Sequence, residues 1–150
     1  MSADLPRIHE SLDWTRLSPT DGHYAFGYYD RFAWDPAGEK HLALHLPQQE
    51  RLPVPGETAE VGYVERAGGK FHRLTETRAW CHQQGCMSLW LPHRPGGFVY
   101  NDFEAEGETW RLKAKIYELG RGVVGEFARP IYAQSADGRW GASQIGRAHV

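Results

Sequence analysis

Apolar positions along this chain recur mostly at every second residue, the period of a half-buried strand. In residues 40–46 (K-H-L-A-L-H-L), Leu42, Leu44 and Leu46 alternate with Ala43 and His45, which predicts a strand. The same reading gives strands at 61–65 and 70–75, joined through Ala67-Gly68-Gly69. Further strands are predicted at 86–91, 97–101, 110–119 and 123–127. Within 86–91, Met87, Leu89 and Leu91 fall on one face and Cys86, Ser88 and Trp90 on the other, as in a strand covered on both sides. The stretch 23–31 (H-Y-A-F-G-Y-Y-D-R) is aromatic-dense and β-prone. No window carries a sustained i, i+3, i+4, i+7 stripe, and 17 glycines with 9 prolines in 150 residues leave little room for helix.

The strands are joined by a repeated grammar in which an apolar or aromatic run meets a turn of Asp, Pro and Gly and a second run follows. It occurs at 32–46, at 80–102 and at 132–143, with turn glycines Gly38, Gly97 and Gly138 spaced by 59 and 41 residues. Repeats of about 40–50 residues with strand–turn–strand content are the sequence signature of β-propeller blades. The expected fold is all-β: a β-propeller fragment of about two four-stranded antiparallel blades plus part of a third, over residues 23–144. Residues 1–22 read as an irregular lead-in, 47–60 as a Pro-rich connection and 104–107 as a polar loop.

Residues 145–150 (I-G-R-A-H-V) read differently from the rest. Written as codons, they match one frame of a sequence resembling a common sequencing adapter, so they are set apart from the fold. On that reading the chain is the N-terminal piece of a longer protein, ending naturally near Gln144 within the third repeat. A fragment of this kind is expected to expose a blade face and a strand edge, and to self-associate through them.

Net charge of −2 with interspersed signs gives no electrostatic footprint for nucleic acid or an anionic membrane. No apolar run approaches a membrane span, and residues 1–10 hold no signal-peptide core. Cys81 and Cys86 are too few for a disulfide-stapled module, so the expected compartment is the cytoplasm.

The turns Trp34-Asp35-Pro36-Ala37-Gly38 and Ser135-Ala136-Asp137-Gly138-Arg139-Trp140 resemble those of TolB-like and oligogalacturonate-lyase-like β-propellers, a resemblance that spans residues 24–144. Uncharacterised relatives also share a W-x-x-Q-Q-G-C-M stretch, matched here by Trp80, Gln83, Gln84, Gly85, Cys86 and Met87. The resemblance implies a propeller fold. Its lyase members use a metal held by His and Gln of later blades, so no cofactor is expected within these residues and a divalent metal belongs to the missing ones. A fold shared by so many activities does not by itself assign one.

In a propeller, the crossover from the outermost strand of one blade to the innermost strand of the next reaches the central funnel. Here those segments are 75–85 and 128–132, with 23–30 leading into the first blade. They carry the candidate ligand-binding residues His23, Tyr28, Arg78, Trp80, Gln83, Gln84, Arg129 and Tyr132, together with Tyr24 and His82. Guanidinium forks, planar amides and ring faces suit a small carboxylate or an anionic sugar. The alternative is structural: Trp80 packed between blades and the two arginines paired with neighbouring carboxylates. Cys81, His82 and Cys86 form one loose cysteine pair rather than the two pairs of a structural zinc site, so no metal is assigned. Asp30 and Asp102 form a conceivable acid/base pair, but each also suits a turn cap or a backbone acceptor. The chain lacks a Gly-x-Ser-x-Gly elbow, a His-Glu-x-x-His helix and a Gly-rich phosphate loop. Two functions stay open: a carbohydrate-active, lyase-like enzyme, and a non-catalytic propeller that binds a ligand or a protein partner.

Overall fold

The strand expected at 40–46 is found with the same bounds in the computed structural model, which describes residues 15–28 and 31–143, though Ala43 is buried along with Leu42 and Leu44. The strands are β1 (His23–Ala25), β2 (Lys40–Leu46), β3 (Ala59–Glu65), β4 (Phe71–Thr77), β5 (Leu89–Trp90), β6 (Gly97–Glu106), β7 (Thr109–Glu118), β8 (Gly122–Phe127), β9 (Ala133–Gln134) and β10 (Gly141–Ala142). They form two four-stranded sheets, β1-β2-β3-β4 and β5-β6-β7-β8, and the hairpin β9-β10. All pairings are antiparallel, and no helix occurs among the described residues. The all-β expectation and the two four-stranded sheets are therefore observed. Neither sheet closes on itself. The predicted segments 1–14 and 145–150 lie outside the described residues, as does Gln144.

The sheets share one core. Leu42, Leu44 and Val61 of the first meet Phe98 and Tyr100 of the second, and Trp80 and Cys86 enter from the connection between them. The opposite face of β2 carries His41, Ala43 and His45. Phe26 stands edge-on to His41 and Tyr24 stacks on His45, with ring centroids 5.3 and 4.8 Å apart. Beyond the second sheet, Leu89, Val99 and Ala114 pack with Leu91 and Ile131, which docks the β9-β10 hairpin there.

Turn chemistry explains the repeat. The Asp35 carboxylate accepts the N–H groups of Glu39 and Lys40 at 2.7 and 3.0 Å, while Asp35 C=O accepts the N–H of Gly38. Ser135 builds the same turn: its carbonyl accepts from Gly138 and its N–H bonds Trp140 C=O, as that of Asp35 bonds Lys40 C=O. In the middle copy the turn is one residue longer. The left-handed glycine there is Gly96 (φ 73°) rather than the predicted Gly97, which already opens β6.

Two strand boundaries differ from expectation. Only Leu89–Trp90 of 86–91 pairs as strand, because Met87 adopts φ 58° and Cys86 C=O is taken by the Asn101 N–H. Residues 104–106, expected as loop, continue the β6–β7 ladder through Glu104↔Arg111 and Glu106↔Thr109. Their charges are paired across the ribbon, Glu106 with Arg111 and Glu104 with Lys113, so polar composition and pairing coexist.

Candidate functional site

The crossover after β4 is built from its buried polar groups outward. Asp102 is 4% exposed and accepts from the Arg78 backbone N–H at 2.8 Å, from Thr77 Oγ1 and from Lys115 Nζ at 2.8 Å. Burial opposes the Lys115 charge, but Asp102 and Glu104 more than offset it and raise its pKa. The Asp102 carboxylate is thus occupied in fixing the chain reversal after β4; it accepts a backbone hydrogen bond as expected, but from within β6 rather than near a strand end. Asp30 lies outside the described residues.

Trp80 is buried and donates its indole N–H to Glu57 C=O at 2.9 Å, while His82 Nε2 lies 3.3 Å from Gln48 C=O. Both tie the crossover to the Pro-rich connection, which is itself clasped by a two-bond Arg51–Glu57 fork. Gln83 and Gln84 are exposed at the tip. Behind them the backbone touches the segment that follows β1: a Cβ on Gly85 would lie 2.3 Å from Phe26 C=O, and one on Gly27 would lie 2.9 Å from Gln84 C=O.

The remaining predicted residues fall in separate surroundings. His23 opens β1 opposite Leu46, and Tyr28 follows Gly27, its carbonyl accepting the Arg31 N–H. The Arg78 guanidinium lies over the Trp110 ring, 5.9 Å from its centroid. Arg129 is exposed and lines a cleft of about 290 Å³ with Phe127, Pro130 and Trp140. Tyr132 lines a larger one of about 570 Å³. Trp80 and His82 are in ring contact at 5.4 Å. The other members do not form one cluster with them.

The larger of these two clefts draws on three separate stretches of the chain; a wider and more open one of about 910 Å³ lies apart from it, beside Tyr24, His45 and Glu60. The walls of the former come from segment 31–36, from residues 89–92 and from residues 132–136, so that all three repeat units contribute. Ala33 C=O fixes one wall to the other by accepting both the Leu42 N–H (2.9 Å) and the indole N–H of Trp90 (2.8 Å). Gln134 Nε2 reaches Trp90 C=O at 2.5 Å, and Asn101 holds Ile131 by two bonds, Nδ2 to its carbonyl (2.9 Å) and Oδ1 from its N–H (2.8 Å). Across the opening, the Arg31 guanidinium lies over the Tyr132 ring, 4.9 Å from its centroid. Trp34 and Phe32 complete an aromatic lining.

Sequence reasoning named Tyr132 here but missed Arg31, Trp34, Trp90 and Gln134. The available signal was the repeat itself: Trp34 and Trp90 each stand just before a turn, and Arg31 ends the first aromatic run.

Among the described residues, no three His, Cys, Asp or Glu side chains gather as a metal site. Burial pushes the Cys86 thiol up to about 12, which keeps it protonated and opposes a ligating thiolate. No helix of the described residues is long and apolar enough to cross a membrane. Compared with known proteins, the chain matches no family model, no curated protein and no solved structure.

Proposed function

We propose that the chain is a ligand-binding module of the β-propeller kind, with its two sheets as successive blades and β9-β10 as the start of a third. It takes a small organic anion, a carboxylate or the acid group of a sugar, in the cleft between the three repeat units. The carrying observation is the Arg31 guanidinium held over Tyr132 at the mouth of a cleft lined by Trp34 and Trp90. A guanidinium has five N–H donors, so it can serve a ligand carboxylate alongside an existing neighbour. Ring faces supply the contact area. The repeated turns, the face-to-face sheets and the hairpin docked on the second sheet support the blade reading.

Isothermal titration with benzoate and D-galacturonate, each beside its uncharged counterpart benzamide or D-galactose, tests the anion requirement. At least one acid binds while its neutral counterpart does not, and Arg31→Ala weakens that binding about tenfold or more. Binding of neither acid ends the reading.

A non-catalytic scaffold for a protein partner is the second reading. It draws on Phe127 and Trp140, both exposed and both lining the smaller cleft. A lyase-like activity in a longer protein would place its base and metal outside the described residues.

A further inference from the structure

Building on the anion-binding reading, we propose that the larger cleft selects flat aromatic carboxylates over sugar acids. Six of its lining side chains can hydrogen-bond: Arg31, Trp34, Trp90, Tyr132, Gln134 and Ser135. Arg31 has a neighbour of its own beside the ligand it would serve, and Trp90, Gln134 and Ser135 spend donors inside the protein. The Trp90 indole N–H goes to Ala33 C=O, the Gln134 amide to Trp90 C=O, and the Ser135 hydroxyl to Asp137 Oδ1 at 2.5 Å while also accepting the Trp140 N–H. What Trp90 presents to the cleft is therefore carbon. Pro36, Pro92, Leu89 and Phe32 add more of it.

A sugar acid brings a carboxylate and a ring of hydroxyls. Each hydroxyl that enters such a cleft gives up water and needs a partner there, and an unmade hydrogen bond costs more than a made one returns. A fused aromatic ring brings no such demand. Its faces match the indole and phenol rings, and its single carboxylate meets the Arg31 fork at the mouth.

Competitive titration of the 150-residue chain with 2-naphthoate, 2-naphthamide and D-galacturonate decides it. The expected result is 2-naphthoate about tenfold tighter than D-galacturonate, and tighter than 2-naphthamide by a similar factor. Arg31→Ala should remove the second preference. If that variant does not fold, the naphthoate–naphthamide ratio on the unaltered chain carries the same information. D-Galacturonate binding as tightly as 2-naphthoate, or tighter, overturns the selectivity but leaves the anion-binding reading standing. Equal affinity for 2-naphthoate and 2-naphthamide overturns the role of Arg31. Binding of no acid removes both proposals together.

Discussion

Asn101 and Ile131 are joined as two paired strand residues would be, except that one partner is a side chain. The Asn101 amide donates to Ile131 C=O and accepts its N–H, at 2.9 and 2.8 Å. Through this clasp a residue of β6 sets where the third repeat unit begins, and so where Tyr132 stands opposite Arg31.

Asn101→Ala should accordingly loosen the hairpin without unfolding the sheets. Two hydrogen bonds are lost and Ile131 keeps an unmatched backbone pair, a cost of about 1–3 kcal/mol. Hydrogen exchange should show Tyr132 and Ser135, whose N–H groups bond Ala142 and Trp140, losing protection while Leu42 and Leu44 retain theirs. Uniform loss across both sheets would mean that the hairpin is no separate unit.

At Trp80 the prediction separates a strut from a binding residue. Trp80→Phe removes the indole N–H that reaches Glu57 and part of a buried ring, at about 1–3 kcal/mol of unfolding free energy. Carboxylate affinity should stay within about twofold, since the cleft holding Arg31 does not include this side chain. A large loss of affinity with unchanged stability would restore Trp80 as a ligand contact.

Gly85 cannot carry a side chain where it stands. Its φ is 57° and a Cβ would come within 2.3 Å of Phe26 C=O, a backbone atom that cannot swing aside. Gly85→Ala should cost at least about 2 kcal/mol, from the conformation and the clash together, and show as a lowered urea midpoint. A midpoint unchanged from the unaltered chain would show that the two segments do not touch.

Lys113 and Lys115 hydrogen-bond the Glu104 carboxylate and pull its pKa down to about 2. Because the folded value lies below the unfolded one, near 4.3, this stabilisation is complete above about pH 4.5 and is lost as pH falls towards 2. Glu104→Gln should flatten the acid limb of the stability profile in that window, so that the variant falls below the unaltered chain at neutral pH, modestly as fits a partly exposed pair, and meets it as pH falls towards 2. An identical acid limb in the variant would remove Glu104 from the account.

How far the sequence could be read depended on whether a feature was local. Period-two alternation was enough for β2, because its leucines and its register with β3 follow from one strand's own pattern. Strand β5 was overestimated because the alternation of Met87, Leu89 and Leu91 conceals a left-handed backbone at Met87 that no alternation count detects. The β6–β7 ribbon was underestimated because Glu104 and Glu106 look like loop until Lys113 and Arg111 stand across from them. The candidate site was least legible. The crossover rule led to Arg78, Gln83 and Gln84, whereas the larger cleft takes Arg31 from one repeat, Trp90 from the next and Tyr132 from a third. Those three are brought together by Ala33, Asn101 and Gln134, residues with no functional look of their own.

Amide and indole chemical-shift mapping during titration with 2-naphthoate bears most directly on where an anion binds. The account predicts that the indole N–H signals of Trp34 and Trp90 and the backbone signals of Arg31, Tyr132 and Gln134 move together along one saturable curve. Movement confined to Arg78, Gln83 and Gln84 on the crossover, with the cleft signals still, would contradict it.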